Sequence, residues 1–143
     1  MTTARDYPDR PLLGVGAIIV LGERILLVQR CNPPLKGEWS IPGGLVETGE
    51  TTREAIVREV REETGLEIEI VKLAEVFERI VRDRNSRVQY HFVLIDYLCR
   101  AIAGEAHAGS DVSDVRWVKT DQLEKLAVAA ETCEVIRKAA GAV

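Results

Sequence analysis

The feature that most constrains the fold of this chain is a predicted helix with three acidic residues on one face. Glycines lie before and after this helix. Residues 51–63 have helical periodicity, and Gly65 follows as a suitable left-handed C-cap. Because a helix turns about 100° per residue, Glu59, Glu62 and Glu63 share one face about 100° wide. An apolar stripe runs beside that face and is predicted to pack on a sheet.

The three clustered carboxylates need a partner, because like charges at neighbouring helical positions cost roughly 0.2–0.5 kcal/mol per pair. One interpretation is a solvated acidic face that pairs with Arg58 and Arg61. The other is a divalent-cation site, since Mg²⁺ and Mn²⁺ prefer oxygen ligands and are shared between carboxylates and substrate phosphates. The bare turn Gly43-Gly44 before the helix places backbone beside the acidic face and favours the cation site.

The rest of the chain predicts several strands and one further helix around this segment. A second helix is predicted at residues 129–140, Thr120 is predicted to cap a helical turn, and two prolines and a glycine predict a loop at 31–37. The succession predicts an α/β (α+β) fold, in which helices cover a mixed sheet. The predicted strands are residues 14–20, 24–29, 66–71, 73–81, 88–99 and 115–118.

Composition narrows the class of protein. The length fits one domain, residues 1–143, and 46% hydrophobic with 29% charged residues argues against a disordered chain. A net charge of −4 disfavours a general nucleic-acid binder and a polybasic membrane-surface protein. Residues 47–69 hold eight acids and three bases, a local net of −5, so the rest of the chain carries +1. Three cysteines without paired spacing and a polar start predict a cytoplasmic protein.

Residues 44–66 resemble the signature of the Nudix hydrolases. That signature reads G, five residues, E, seven residues, then R-E-U-x-E-E-x-G-U, where U is aliphatic. Residues 15–30, 37–44 and 115–118 also resemble parts of the family. The resemblance implies an α/β/α sandwich with a mixed sheet flanked by helices, and Mg²⁺-dependent cleavage of a nucleoside diphosphate linked to another group. Every fixed position matches: Gly44, Glu50, Arg58, Glu59, Val60, Glu62, Glu63, Gly65 and Leu66.

The resemblance implies a metal site built on the acidic helix. Glu59, Glu62 and Glu63 become the metal ligands, together with the backbone carbonyl of Gly43. The implied cation is Mg²⁺, with Mn²⁺ as the alternative. The metal would neutralise the diphosphate and lower the pKa of an attacking water.

Two further residues of the segment are implied to support the site. Glu50 would support the loop, and Arg58 would hold the glutamates in place through ion pairs. The proton acceptor stays open between Glu62, Glu59 and an acid in the loop at residues 104–114. By its distance ahead of Trp117, Asp111 best matches the position where related enzymes place a further acid. The alternative is a surface loop whose acids are simply solvated. The rivals of Asp111 in that loop are Glu105 and Asp114.

Three residues are predicted to contact the substrate. Arg30 ends the second strand and is a candidate phosphate clamp through its planar guanidinium, with a plain surface arginine as the alternative. Trp39, in a predicted loop, is a candidate for stacking on a base, with core packing as the alternative. Gly44 belongs to the bare turn. Phe92 is predicted to lie in the core, with stacking on a base as the alternative. A solvated hairpin turn is predicted for Arg79, Arg82, Arg84 and Arg87, with contact of one of them to a phosphate as the alternative.

Three segments resemble small bacterial proteins of the ADP-ribose pyrophosphatase-like subgroup: residues 30–34, 90–96 and 109–111. Hydrolysis of ADP-ribose to AMP and ribose 5-phosphate is therefore expected, although no proline follows Pro42 as in the larger ADP-ribose pyrophosphatases. The first alternative is a nucleotide-pool enzyme that converts (oxidised) NTPs to NMP and diphosphate. The second is a non-catalytic nucleotide-sugar sensor, which the complete set of glutamates disfavours. The implied partner is a small-molecule nucleoside diphosphate, with no nucleic acid or membrane, and a homodimer stays open.

Overall fold

Two α-helices and a mixed sheet make up the part of the chain that the computed structural model describes, residues 5–33 and 36–141. The helices are α1 (Thr52–Thr64) and α2 (Ala130–Ala140), and a 3₁₀ turn spans Thr120–Lys125. Residues 34 and 35 of the predicted loop lie outside the described residues. The strands are β1 (Leu12–Leu21), β2 (Arg24–Arg30), β3 (Trp39–Ser40), β4 (Gly43–Leu45), β5 (Glu67–Arg82), β6 (Val88–Ala103) and β7 (Val112–Lys119).

The sheet is mixed because β1 and β6 run parallel, whereas the other paired strands run antiparallel. Its order is β3-β2-β1-β6-β5, with β4 also paired to β1 and β7 also paired to β2. Successive side chains of β1 point to opposite faces, so Val15 packs with α1 and Ile18 with α2. The predicted sandwich with helices on both faces is confirmed.

Helix α1 begins and ends where the sequence predicts. Thr51 is its N-cap, and a capping box joins the Thr51 hydroxyl to the backbone of Glu54 and the Glu54 carboxylate to the backbone of Thr51. Gly65 ends the helix in the left-handed conformation with φ 77°. The buried side chains of Ile56 and Val60 pack on the sheet, which leaves the acidic face at the edge of this interface.

Two of these elements differ from the sequence predictions. The predicted strands at 66–71 and 73–81 form one continuous strand, β5, because irregular pairing with β6 near Val71 and Ala74 accommodates the break in alternation. Thr120 does not cap the helical turn, since Lys119 is the N-cap residue and makes no side-chain cap bond. Within the described residues, no helix is long and apolar enough to span a membrane.

Trp39 is not available for the predicted stacking on a base. Its side chain is only 6% exposed and belongs to the apolar cluster between the sheet and α2, with Leu123 and Ile136. The guanidinium of Arg116 lies 5.0 Å from the centre of its ring. The prediction of Trp39 as a substrate-binding residue is therefore wrong, and its alternative, core packing, is correct. The ring is covered because β3 pairs with β2 and draws Trp39 into the sheet.

Candidate functional site

An open cavity of about 580 Å³ lies where β4, β1, β6 and β5 meet the end of α1. One side of its lining is acidic and comes from Glu59, Glu62 and Glu63 of α1. The other side is largely apolar and comes from β5 and β6, including Phe77 and Leu94. The cavity thus joins a charged surface and an apolar surface within one binding space.

Two glycines of β1 make the floor of the cavity. A Cβ atom on Gly14 would lie 2.8 Å from Cδ2 of Leu94, and one on Gly16 would collide with a carboxylate oxygen of Asp96. The two β6 side chains therefore lie over the bare backbone of β1. Any larger residue at either glycine would push them into the cavity.

The acidic side of the cavity is organised by Arg58. Its Nη1 donates to Oε1 of Glu59 at 2.8 Å and to Oε2 of Glu62 at 3.2 Å. One cationic nitrogen thus lies between two carboxylates of the same helix face. The position between the oxygens of Glu59 and Glu62 therefore accommodates positive charge, as a divalent-cation site requires.

The same arginine ties the helix to the loop before it. Nε and Nη2 of Arg58 donate to the two carboxylate oxygens of Glu50 at 2.6 and 2.9 Å, and Nη2 also donates to the carbonyl of Leu45 at 3.1 Å. The guanidinium lowers the pKa of Glu50 to about 2, and Glu50 in turn raises the pKa of Arg58. Glu50 and Arg58, predicted to support the site, lie against each other at its edge.

Glu63 is the most buried of the three glutamates. It accepts hydrogen bonds from the backbone N–H of Gly43 at 2.9 Å and from Nη1 of Arg30 at 2.5 Å. Burial outweighs these two donors and raises the pKa of Glu63 to about 7. Arg30 also donates to Ser40 Oγ at 2.9 Å and to the Ile41 carbonyl at 2.7 Å, so it is not a plain surface arginine. Its predicted contact with a phosphate stays a prediction.

The bare turn lies directly against the acidic face. A Cβ on Gly44 would lie 2.5 Å from the carboxylate of Glu59, so only glycine allows this approach. Burial raises the pKa of Glu59, an effect that the charge of Glu62 adds to and Arg58 opposes. Across the described ranges, no three His, Cys, Asp or Glu side chains already form a metal cage. The donor set nevertheless fits a hard cation, because the three carboxylates line one cavity and only two arginines neutralise them.

The loop after β6 caps the end of α1 with its backbone. A Cβ on Gly109 would collide with the carbonyl oxygen of Glu62, so this contact requires glycine. The loop satisfies carbonyl groups that a helix end leaves without intrahelical partners and fixes the turn that carries Glu62 and Glu63. The N–H groups of His107, Gly109 and Ser110 donate to the carbonyls of Thr64, Glu63 and Glu62 at 2.9, 2.8 and 3.0 Å.

Asp111 lies at the rim of the cavity, whereas its rivals Glu105 and Asp114 do not line it. Its backbone is left-handed with φ 61°, and its carboxylate accepts a hydrogen bond from the Asn32 amide at 3.0 Å. Its carbonyl accepts from the N–H of Cys31 at 3.2 Å. The structure therefore brings Asp111 near the glutamates, and its catalytic role stays a prediction.

Asp96 is an acidic residue of the cavity that the sequence interpretation missed, as is Glu47. Asp96 is 4% exposed, and burial raises its pKa to about 7, with Glu75 adding to the effect and Arg79 opposing it. The signal available for Asp96 was its place as the single acid within the otherwise apolar run of residues 92–99.

Arg79 is not solvated as predicted, since it lines the cavity and pairs with Glu131 at 2.9 Å. The core position predicted for Phe92 is correct at 9% exposure, although this residue also lines the cavity.

Comparison with known proteins places this site in a family context. The NUDIX domain family matches residues 10–138. An ADP-ribose pyrophosphatase of Methanocaldococcus jannaschii is 39% identical over 117 residues, covering 82% of this chain and 67% of that protein. A Mycobacterium tuberculosis protein provisionally described as 8-oxo-dGTP diphosphatase 2 is 35% identical over 120 residues, covering 76% of this chain and 81% of that protein.

A solved structure extends the similarity to the fold. The crystal structure of a MutT NUDIX hydrolase from Burkholderia pseudomallei superposes with a TM-score of 0.79 at 31% identity. The superposition covers 91% of this chain and 98% of that one. The similarity therefore extends over most of this fold.

Proposed function

Because this chain belongs to the NUDIX domain family and is a Nudix hydrolase, we propose that it cleaves a nucleoside diphosphate linked to another group. The substrate proposed is ADP-ribose, and the products are AMP and ribose 5-phosphate. The similarity to the ADP-ribose pyrophosphatase of M. jannaschii supports this choice. The similarity to the M. tuberculosis protein supports the second candidate, hydrolysis of an oxidised NTP to NMP and diphosphate.

The observation that carries the proposal is the paired contact of Arg58 with Glu59 and Glu62. A single cationic nitrogen between these carboxylates marks where positive charge is stabilised in the cavity. Glu63 and the bare turn at Gly43 lie beside them. A diphosphate is a polyanion, so an acidic surface binds it only when cations lie between the two.

Nudix hydrolases generally need divalent metal ions, and the acidic side of the cavity offers the ligands. The carboxylates of Glu59, Glu62 and Glu63 and the carbonyl of Gly43 would hold Mg²⁺, with Mn²⁺ as the alternative. When bound, the cation supplies charge neutralisation for the diphosphate and a lowered pKa for water.

The residues of the chain position the reacting groups. Glu62 is the proposed proton acceptor because its side chain is 47% exposed and its contact with Arg58, at 3.2 Å, is the looser of the two. It takes the proton of a water whose oxygen bonds to one phosphorus while the bridging P–O bond breaks. Arg58 and Arg30 orient Glu59 and Glu63, and Asp111 at the rim is the second candidate for the acceptor.

A product assay with Mg²⁺ tests the substrate. The panel contains ADP-ribose, NADH, ADP-glucose, diadenosine polyphosphates, dGTP and 8-oxo-dGTP. We expect the highest kcat/KM with ADP-ribose, and AMP and ribose 5-phosphate in equal amounts. A higher kcat/KM with 8-oxo-dGTP, with release of diphosphate, would instead establish the nucleotide-pool reaction. Binding without turnover of any compound would establish the sensor.

A further inference from the structure

Asp96 lies on the floor of the cavity, away from the glutamates. It pairs with Gly16 of β1 on one side and with Glu75 of β5 on the other. Gly16 also pairs with Gly43, so Asp96 lies two strand spacings, roughly 10 Å, from the bare turn. That separation is comparable to the distance between the phosphate and the base of a nucleotide.

The described residues leave Asp96 without an ion pair or a hydrogen bond, although Arg79 lies close enough to lower its pKa. Arg79 pairs instead with Glu131 at 2.9 Å. Most buried polar groups in proteins are hydrogen-bonded, and among the described residues no fully buried side-chain oxygen or nitrogen lacks a partner. The carboxyl oxygens of Asp96 therefore reach the cavity that the residue lines, where a ligand can contact them.

The surroundings of Asp96 suit a flat apolar ring. Phe92, Leu94 and Asp96 alternate along β6 and so point to the same face, where they line the cavity with Phe77 of β5. The absence of a side chain at Gly14 keeps the floor open next to Leu94. An aromatic base therefore finds an apolar surface with the carboxyl group of Asp96 at its edge.

We propose that Asp96 is a specificity-determining residue that recognises the base edge of an adenine nucleotide. Its carboxyl group accepts a hydrogen bond from the exocyclic amino group and donates one to the neighbouring ring nitrogen. This assignment rests on the proposed function, because it places the diphosphate of the same molecule beside the glutamates.

The protonation of Asp96 decides which base it matches. A neutral carboxyl group offers one donor beside one acceptor, the pattern that adenine complements with a ring nitrogen and an amino group. An ionised carboxylate offers acceptors only and matches the two neighbouring donors of guanine. Burial and the nearby Glu75 raise the pKa of Asp96 to about 7, with Arg79 opposing them, so the neutral form is available at neutral pH.

Two substitutions separate recognition from packing. Asp96→Asn keeps one donor beside one acceptor, since an amide also matches the adenine edge. Asp96→Leu keeps the approximate volume and removes both polar functions. Glu78→Gln is the control, because Glu78 is exposed on β5 and does not line the cavity. Thermal melting of all three variants checks that they are folded.

Equilibrium binding of AMP and GMP, followed by NMR, gives a readout that needs no turnover. We expect the wild type, Asp96→Asn and Glu78→Gln to bind AMP at least fivefold more tightly than GMP. Asp96→Leu should reduce this ratio to within twofold. Three results would each overturn the proposal: no AMP preference in the wild type, a preserved preference in Asp96→Leu, or its loss in Asp96→Asn.

The second experiment compares the hydrolysis of ADP-glucose and GDP-glucose, which differ only in the base. The kcat/KM ratio should favour ADP-glucose at least tenfold in the wild type and Asp96→Asn, and fall below threefold in Asp96→Leu. Turnover of neither compound and of no member of the substrate panel, ADP-ribose included, together with an AMP preference that depends on Asp96, would refute the proposed function and leave the base assignment standing. Turnover of both at ratios unaffected by Asp96→Leu would refute the base assignment alone.

Discussion

Arg58 and Glu50 form a bidentate ion pair between helix α1 and the loop that precedes it, with N–O distances of 2.6 and 2.9 Å. The remaining Nη1 of Arg58 contacts Glu59 and Glu62. The ion pair therefore fixes the guanidinium that in turn orients two of the proposed metal ligands.

The ion pair should make the stability of the protein depend on acid pH. In the folded state the pKa of Glu50 is about 2, below its ordinary value of 4.5. Glu50 therefore contributes stability that is fully present above pH 4.5 and is lost as the pH falls through 2. Glu50→Gln should lower the free energy of unfolding by about 2 kcal/mol at pH 7. Urea unfolding at pH 7 and at pH 2 measures this, and an equal difference at both values would contradict the assignment.

The effect of Asp96 on the free energy of unfolding should have the opposite pH dependence. Its pKa rises from 3.8 to about 7 on folding, so the wild type loses stability as the pH rises from about 4 to 7. Asp96→Asn removes this ionisation and should raise the free energy of unfolding by about 2 kcal/mol at pH 8, with little effect at pH 3.5. Urea titrations of both proteins at the two pH values check it. A variant less stable than the wild type at pH 8 would show that the carboxylate has a partner.

The glutamates should be required for turnover rather than for folding. Glu62→Gln and Glu63→Gln are each expected to reduce kcat at least tenfold while the circular dichroism spectrum is retained. Glu69→Gln is the matched control, because this exposed glutamate of β5 lies outside the cavity, and its kcat should stay within about twofold. Undiminished rates in both Glu62→Gln and Glu63→Gln would refute the metal assignment.

The contact between Gly109 and the carbonyl of Glu62 should be intolerant of a side chain. A methyl group there collides with the helix end, so Gly109→Ala should displace the last turn of α1 and reduce kcat at least tenfold. Ala108→Ser, at the exposed neighbouring residue, should leave kcat within about twofold. Steady-state kinetics of both variants test this, and equal rates would mean that the loop does not position Glu62 and Glu63.

Divalent metal should act on stability as well as on activity. A chelator should abolish hydrolysis, and added Mg²⁺ should restore it. Because a ligand that binds the folded state stabilises it, Mg²⁺ at 100 times its Kd should add about 2.7 kcal/mol and raise the Tm. Glu59→Gln should reduce the shift in Tm, whereas Glu69→Gln should retain it. An unchanged shift in Glu59→Gln would place the metal elsewhere.

The sequence predicted local structure well where short-range chemistry decides it. Gly65 ends α1 in the left-handed conformation as predicted, and the predicted start of that helix lies within one residue of the observed start. The N-cap role of Thr51 was not predicted from the sequence. Both strands of the first hairpin and the second helix were also correct to within a few residues. The break that was predicted near residue 72 failed, because pairing with β6 holds β5 together across its irregularities.

The same distinction between local structure and long-range pairing applies to the candidate site. Helical spacing alone determined that Glu59, Glu62 and Glu63 share a face, since that geometry depends on the backbone of one helix. Only the tertiary structure decided the positions of Trp39, which β3 draws into the core, and Arg30, which β2 brings against Glu63. These positions depend on which strands pair, and pairing joins residues far apart in the chain.

By itself, then, the sequence determined the position of the acidic helix, the glycine that ends it and the family to which its spacing belongs. The tertiary structure decided that Asp96 lies across Gly16 from the bare turn at Gly43, and that Arg79 pairs with Glu131 and not with Asp96. The reason is physical: a helix face is set by the rotation per residue, whereas the burial and partners of a side chain depend on the elements that fold around it.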